Sequence, residues 1–77
     1  MMDKLLETFA SVLRLHPTSL TDDSSSENTQ NWDSLSAARL VTAIEETFNV
    51  ELTTSEIMLM RSIGTTREML RRKGVNV

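Results

Sequence analysis

The sequence predicts an all-α protein, a four-helix bundle with a long loop between helices 1 and 2 and a short third helix. Three observations carry this prediction. Apolar residues recur at spacings of three and four, no segment alternates for long enough to make a strand, and glycine and proline together number three in 77 residues. Two stretches in the second half have the form hydroxyl-x-x-Glu, which starts helices.

The first helix is expected from about Asp3 to Leu15, with Leu5, Leu6, Phe9, Val12 and Leu13 at helical spacing. Pro17 biases His16 away from helical dihedrals and marks the end. Residues 17–32 form a polar connection containing Thr21-Asp22-Asp23-Ser24-Ser25-Ser26-Glu27. Structureless loops of this length are uncommon in compact domains. Leu20 is therefore expected to pin the connection midway, and Trp32 to pack its end against the bundle.

A second helix is expected from Ser34 to about Phe48, with Asp33 as N-cap. At 100° per residue, Ala37, Leu40, Val41, Ile44 and Phe48 share one stripe, the side for the core. Leu35 lies well outside it, in the company of Ser36, Arg39, Thr42 and Glu46. Thr53-Thr54-Ser55-Glu56 has the form of a capping box and opens a third helix ending near Met60. Thr65-Thr66-Arg67-Glu68 has the same form and opens the last helix, which Gly74 ends. Ile57, Met60, Ile63, Met69, Leu70 and Val75 are assigned to the core, and Arg71, Arg72 and Lys73 suit the C-terminal end of the dipole. Five methionines against three aromatics predict a soft, adaptable core.

Length predicts a single domain over residues 1–77, held by a core that leaves no more than ~3–5 kcal/mol net. With no cysteine and one histidine, neither a thiolate nor a histidine zinc site is expected, so no metal is assigned. Met1-Met2-Asp3-Lys4 lacks the pattern of a signal peptide and no apolar run approaches a membrane span, so a soluble, cytoplasmic monomer is the expectation. Net charge is −3 but unevenly spread: residues 1–60 hold ten acidic and three basic side chains, residues 61–77 one acidic and five basic. The acidic part contains Ser34. Such a surface favours basic partners and argues against binding a phosphate backbone there.

Ser34 is the candidate for chemistry. In the first turn of its helix, a phosphate on its hydroxyl would sit where unpaired N–H groups and the dipole both favour an anion. As a nucleophilic catalyst it has no base, since His16 stands alone and no Gly-rich phosphate loop is present. A helix-turn-helix formed by the third helix, the turn at Gly64 and the basic last helix is the nucleic-acid alternative, but the last helix lacks interleaved polar readers. Glu45 and Glu46 oppose the helix dipole, so helix stability does not explain them; a solvated face is one reading and contact with a basic partner the other.

The run Asp33-Ser34-Leu35, followed by Ala38-Arg39-Leu40-Val41-x-Ala43-Ile44-Glu45-Glu46-x-Phe48-x-Val50, resembles the phosphopantetheine attachment motif of acyl and peptidyl carrier proteins. Arg61-Ser62-Ile63-Gly64-Thr65 is similar to the family's third-to-fourth helix junction, and the likeness extends from about Leu5 to Val75. The resemblance implies a four-helix carrier-protein bundle, with 4′-phosphopantetheine from coenzyme A attached to Ser34 between Asp33 and Leu35 by a phosphopantetheinyl transferase. It implies carriage of acyl groups as thioesters, with tethering raising their effective concentration at partner sites, and no catalysis by the chain itself. The implied partners are acyl-loading and acyl-transferring enzymes, met through Leu35, Ser36, Arg39, Thr42, Glu45 and Glu46; neither nucleic acid nor membrane insertion is implied.

Two positions depart from the family pattern. Asn31 stands where these carriers often have glycine, and Arg39 where those of fatty acid synthesis usually have an acidic residue. Trp32-Asp33-Ser34-Leu35 looks like a subgroup of specialised acyl carriers. Fatty acid, polyketide, lipopolysaccharide-modifying and aminoacyl or peptidyl carriage all stay open, as does an unmodified helical interaction module. A soft methionine core is first of all a small core filled with adaptable side chains; the alternative is that it admits a long acyl chain between the helices, as in some family members.

Overall fold

The structure, a computed structural model, describes residues 3–77. Four α-helices occupy Lys4–Leu13 (α1), Ser34–Phe48 (α2), Thr54–Met58 (α3) and Ile63–Arg72 (α4), with a 3-10 turn at Pro17–Ser19; no strand forms among the described residues. This is the all-α bundle expected from the sequence. α1 packs on both α2 and α4, and the core between them is Leu5, Phe9, Leu13, Leu40, Ile44, Ile63 and Leu70, with Leu20 and Trp32 added from the long connection. No helix among the described residues is long and apolar enough to cross a membrane.

Local chemistry fixes the helix ends. The Asp3 carboxylate accepts the Leu5 and Leu6 amides at 3.2 Å each, so α1 starts one residue later than its apolar pattern implies. It also stops earlier. Arg14 adopts a left-handed conformation at φ 59°, and the Leu15 amide donates back to Ala10 O at 3.0 Å. The ending is thus made within the helix and not by Pro17. At the end of α4, Gly74 has φ 90°, a conformation that glycine enters freely.

The start of α4 corrects the sequence reading. Its N-cap is Ser62, whose Oγ accepts the Thr65 amide at 3.1 Å, while Thr65 Oγ1 accepts the Ser62 amide at 3.0 Å. Thr65 is therefore the third residue of this helix and not its cap. The core assignment needs correcting too. Ile57 is exposed because α3, five residues long, buries none of its side chains. Of the described methionines only Met69 is buried, Met60 being half-buried and Met58 exposed, so the core is set by leucine, isoleucine and phenylalanine.

The long connection is held at several points. Leu20 is buried, the Trp32 ring lies 5.2 Å from that of Phe9, and Asn31 Nδ2 donates to Leu13 O at 2.8 Å. Its middle pairs with the α3–α4 junction: the Ile63 amide donates to Ser24 O at 3.0 Å, the Gly64 amide donates to Asp22 O at 2.9 Å, and Ser25 and Ser62 form an isolated antiparallel bridge.

One interaction has no sequence signal. Arg67 is buried on α4 and ion-pairs with Asp3 at 2.8 Å and Asp22 at 2.9 Å, joining the start of α1, the connection and α4. Burial disfavours the Arg67 charge, but the hydrogen bonds it donates to Asp3 and Asp22 and their charges outweigh it and raise its pKa. Lys73 makes a second tie, reaching both oxygens of Glu56 at 2.9 and 3.0 Å and so fastening α3 to α4.

Candidate functional site

The candidate site is the junction of the long connection with α2. Asn31 takes φ 67° there, in the left-handed region that glycine enters most easily and asparagine tolerates. That geometry accounts for the residue type: asparagine supplies the turn that glycine often supplies, and its amide also satisfies the last core-facing carbonyl of α1. Trp32, next in the chain, is buried against Phe9 and anchors the approach to the helix.

Asp33 and Ser36 close the start of α2 between them. The Asp33 carboxylate accepts the Ser36 amide at 3.0 Å, Ser36 Oγ accepts the Asp33 amide at 2.8 Å and donates to Asp33 O at 3.1 Å. The Ser36 amide, with help from its hydroxyl and from the Leu35 amide, holds the Asp33 carboxyl below its ordinary value of 3.8 despite some desolvation. Asp33 is thus ionised at neutral pH and committed to the cap. Ser34 is the first residue of the helix, exposed, with its hydroxyl left out of this box.

The other expected site residues fall into two sets. Leu35 is 63% exposed, and Arg39, Thr42 and Glu46 are exposed on the same helix. Ser36 is a correction: it is buried at 8% exposure because its side chain turns inward to complete the capping box. Glu45 is half-buried, and its Oε2 accepts the Leu52 amide at 2.9 Å. That bond explains an acidic residue near the negative end of the helix, since Glu45 holds the turn after α2. His16 is exposed, and its Nδ1 accepts the Thr18 amide at 3.2 Å. No cluster of three His, Cys, Asp or Glu side chains suited to a metal occurs among the described residues.

Two features escaped the sequence reading. Ile57, Met58 and Leu59 are exposed beside one another on and after α3, which a helix too short to bury a face would have signalled. Arg67 and Lys73 are engaged by Asp3, Asp22 and Glu56, so two of the five basic residues in 61–77 are consumed internally. A free basic face for a groove is reduced accordingly.

Ser34 Oγ is exposed and makes no hydrogen bond among the described residues. Comparison with protein families finds that the model for the phosphopantetheine attachment site matches residues 3–71. Members of that family carry 4′-phosphopantetheine covalently. A search of curated proteins finds no match.

Proposed function

The chain belongs to the phosphopantetheine attachment family, and from that premise we propose that it is an acyl carrier protein whose arm is esterified to Ser34. The observation that carries this is the cap geometry: Asp33 and Ser36 satisfy each other, leaving the exposed Ser34 hydroxyl at the helix start uncommitted. An oxygen in that position is open to an approaching enzyme, and a phosphodiester built on it meets the positive end of α2.

Attachment is a displacement. Ser34 Oγ forms a bond to the phosphorus bearing the pantetheine of coenzyme A as the pyrophosphate bond breaks, and adenosine 3′,5′-bisphosphate leaves. The hydroxyl proton goes to a base on the transferase. Among the described residues neither candidate is free for it: the Asp33 carboxylate is committed to the Ser36 amide in the cap, with its basicity lowered, and the histidine accepts the Thr18 amide. The arm then supplies a thiol that holds acyl groups as thioesters, and the chain contributes mobility, solubility and recognition in place of catalysis.

Recognition in this reading rests on Leu35, Arg39, Thr42 and Glu46, the exposed face of α2 next to Ser34. Leu35 offers an apolar contact, Glu46 a charge for a basic partner, and Arg39 a cation that selects against partners built for a carrier acidic at that position. Specialised acyl carriage follows from Arg39 and the Trp32-Asp33-Ser34-Leu35 run. The test is loading of the arm-bearing protein from acyl and from aminoacyl donors, read by intact mass. A hydroxylamine-labile acyl adduct is expected; exclusive loading with amino acids would replace acyl carriage by aminoacyl carriage.

A further inference from the structure

Away from Ser34, an open groove of about 530 Å³ lies between the first turns of α1 and the Pro17–Ser19 turn. Asp3, Leu6 and Glu7 line it from α1, and Pro17, Thr18 and Leu20 from the turn and its exit. Its floor is apolar and partly open to water: Leu20 is buried, Leu6 half-buried and Pro17 exposed. The groove sits at the start of α1, a helix of ten residues and so about 15 Å long. At the other end of that helix, Leu13 O takes the Asn31 amide, three residues before Ser34. A partner seated in the groove therefore leaves Ser34 and the exposed face of α2 uncovered.

The rim carries negative charge without a matching cation. Glu7 is half-buried and has no ion-pair partner within 4 Å among the described residues. Lys4, the nearest cation along α1, is turned to α2, its Nζ 5.7 Å from the centre of the Phe48 ring. Asp3 shares Arg67 with Asp22, two carboxylates against one guanidinium, so that network is itself left negative. The complement of an apolar floor under an acidic rim is a cation on an aliphatic stem, next to an apolar residue. We infer that the groove docks a basic, leucine-rich segment of a partner protein, with a leucine on Leu6 and Leu20. A lysine or arginine of that segment lays its stem over Pro17 and its head on the Glu7 carboxylate. Both carboxylates are partly in water, so the dock is weak and weakens further with salt. Its use is as a tether: a partner held there keeps the carrier close while the arm on Ser34 is free to enter an active site.

Docking in the groove does not need an arm on Ser34; only its use in carriage rests on that reading, so the two fail separately. A short amphipathic leucine–lysine peptide is titrated into the protein before and after treatment with coenzyme A and a phosphopantetheinyl transferase. Amide and methyl resonances are followed in wild type, Glu7→Gln and Glu7→Lys. The largest shifts are expected at Leu6, Thr18 and Leu20, alike before and after treatment. In Glu7→Gln the Kd is expected to rise by up to about fivefold, the scale of an exposed ion pair, with unchanged circular dichroism. The same peptide with glutamate for lysine is expected to bind Glu7→Lys more tightly than wild type. Shifts centred on Ile57, Met58 and Leu59 instead, affinity indifferent to Glu7→Gln, or no binding overturns the docking and leaves attachment at Ser34 intact. Leu20 methyls that keep contacts to Met1 or Met2 with peptide present would mean that the chain fills its own groove, which also overturns it. A mass that does not rise on treatment overturns the carrier reading and not the groove.

Discussion

Replacing Arg67 with methionine removes the ion-pair centre while keeping most of the apolar stem, so the effect isolates the charge. Arg67 is 10% exposed, but its partners Asp3 and Asp22 are 37% and 55% exposed. Breaking a fully buried pair costs about 3–5 kcal/mol, whereas an exposed pair is worth about 0.2–1 kcal/mol. With carboxylates this wet, the two pairs together are worth about 1–2 kcal/mol, a large share of what so small a core retains. For a domain of this size that shift lowers Tm by roughly 4–16 °C. Urea unfolding followed by fluorescence of the single Trp32, buried against Phe9, measures it. The pH dependence adds a second constraint. Burial pushes the Asp3 carboxyl up, but the Arg67 hydrogen bond, the Leu6 and Leu5 amides and the Arg67 charge outweigh it and hold the carboxyl below 3.8. A depressed carboxylate contributes stability that is present above its unfolded value and lost as pH falls through the folded one. The gap between wild type and Arg67→Met is therefore constant from neutral pH down to about pH 4 and narrows below. A gap under about 0.5 kcal/mol at pH 7, or one unchanged where Asp3 is protonated, would show that the Arg67 pairs contribute little to the fold.

Three further outcomes follow from the same geometry. A Cβ on Gly64 would meet Asp22 O at 3.0 Å and Asp22 Cβ at 3.3 Å, so Gly64→Ala should destabilise by about 1 kcal/mol in thermal melts despite alanine's better helix propensity; a more stable variant would contradict the close approach. Ser36→Ala opens the capping box and should lower stability by about 1 kcal/mol, and unchanged melting would return Ser36 to the exposed face. Glu56→Gln keeps a capping oxygen but loses the Lys73 pair, so amides of α3 should exchange faster while those of α1 and α2 do not change. The Thr53 amide first, then Lys73, holds the Glu56 carboxyl below its ordinary 4.5, so this tie persists above that value and loosens as pH falls through the lower folded one; equal α3 protection in wild type and variant would remove the tie.

What was legible in the sequence was local. The Asp33 cap, the Thr53–Glu56 box, the Gly74 ending and the pinning roles of Leu20 and Trp32 each depend on a few neighbouring residues or on bulk apolar surface. Where a local rule admitted two registers, the sequence misled. Thr65 satisfies the pattern for an N-cap, yet Ser62 three residues earlier uses it as the far half of a box built from two hydroxyls. The helix wheel places Ser36 outward, yet at the third helical position its hydroxyl folds back onto the cap. The Arg67 network was invisible for another reason: its partners lie 45 and 64 residues away, and no short-range pattern encodes such a meeting. Methionine count misjudged the core because composition does not say which side chains are inside; Met58 is 72% exposed.

Attachment at Ser34 is read most directly by mass. Intact mass is measured after the folded protein is incubated with coenzyme A and a broad-specificity phosphopantetheinyl transferase, alongside Ser34→Ala. A gain of one phosphopantetheine is expected in wild type and none in the variant. No gain in wild type, or an equal gain in both, would contradict it.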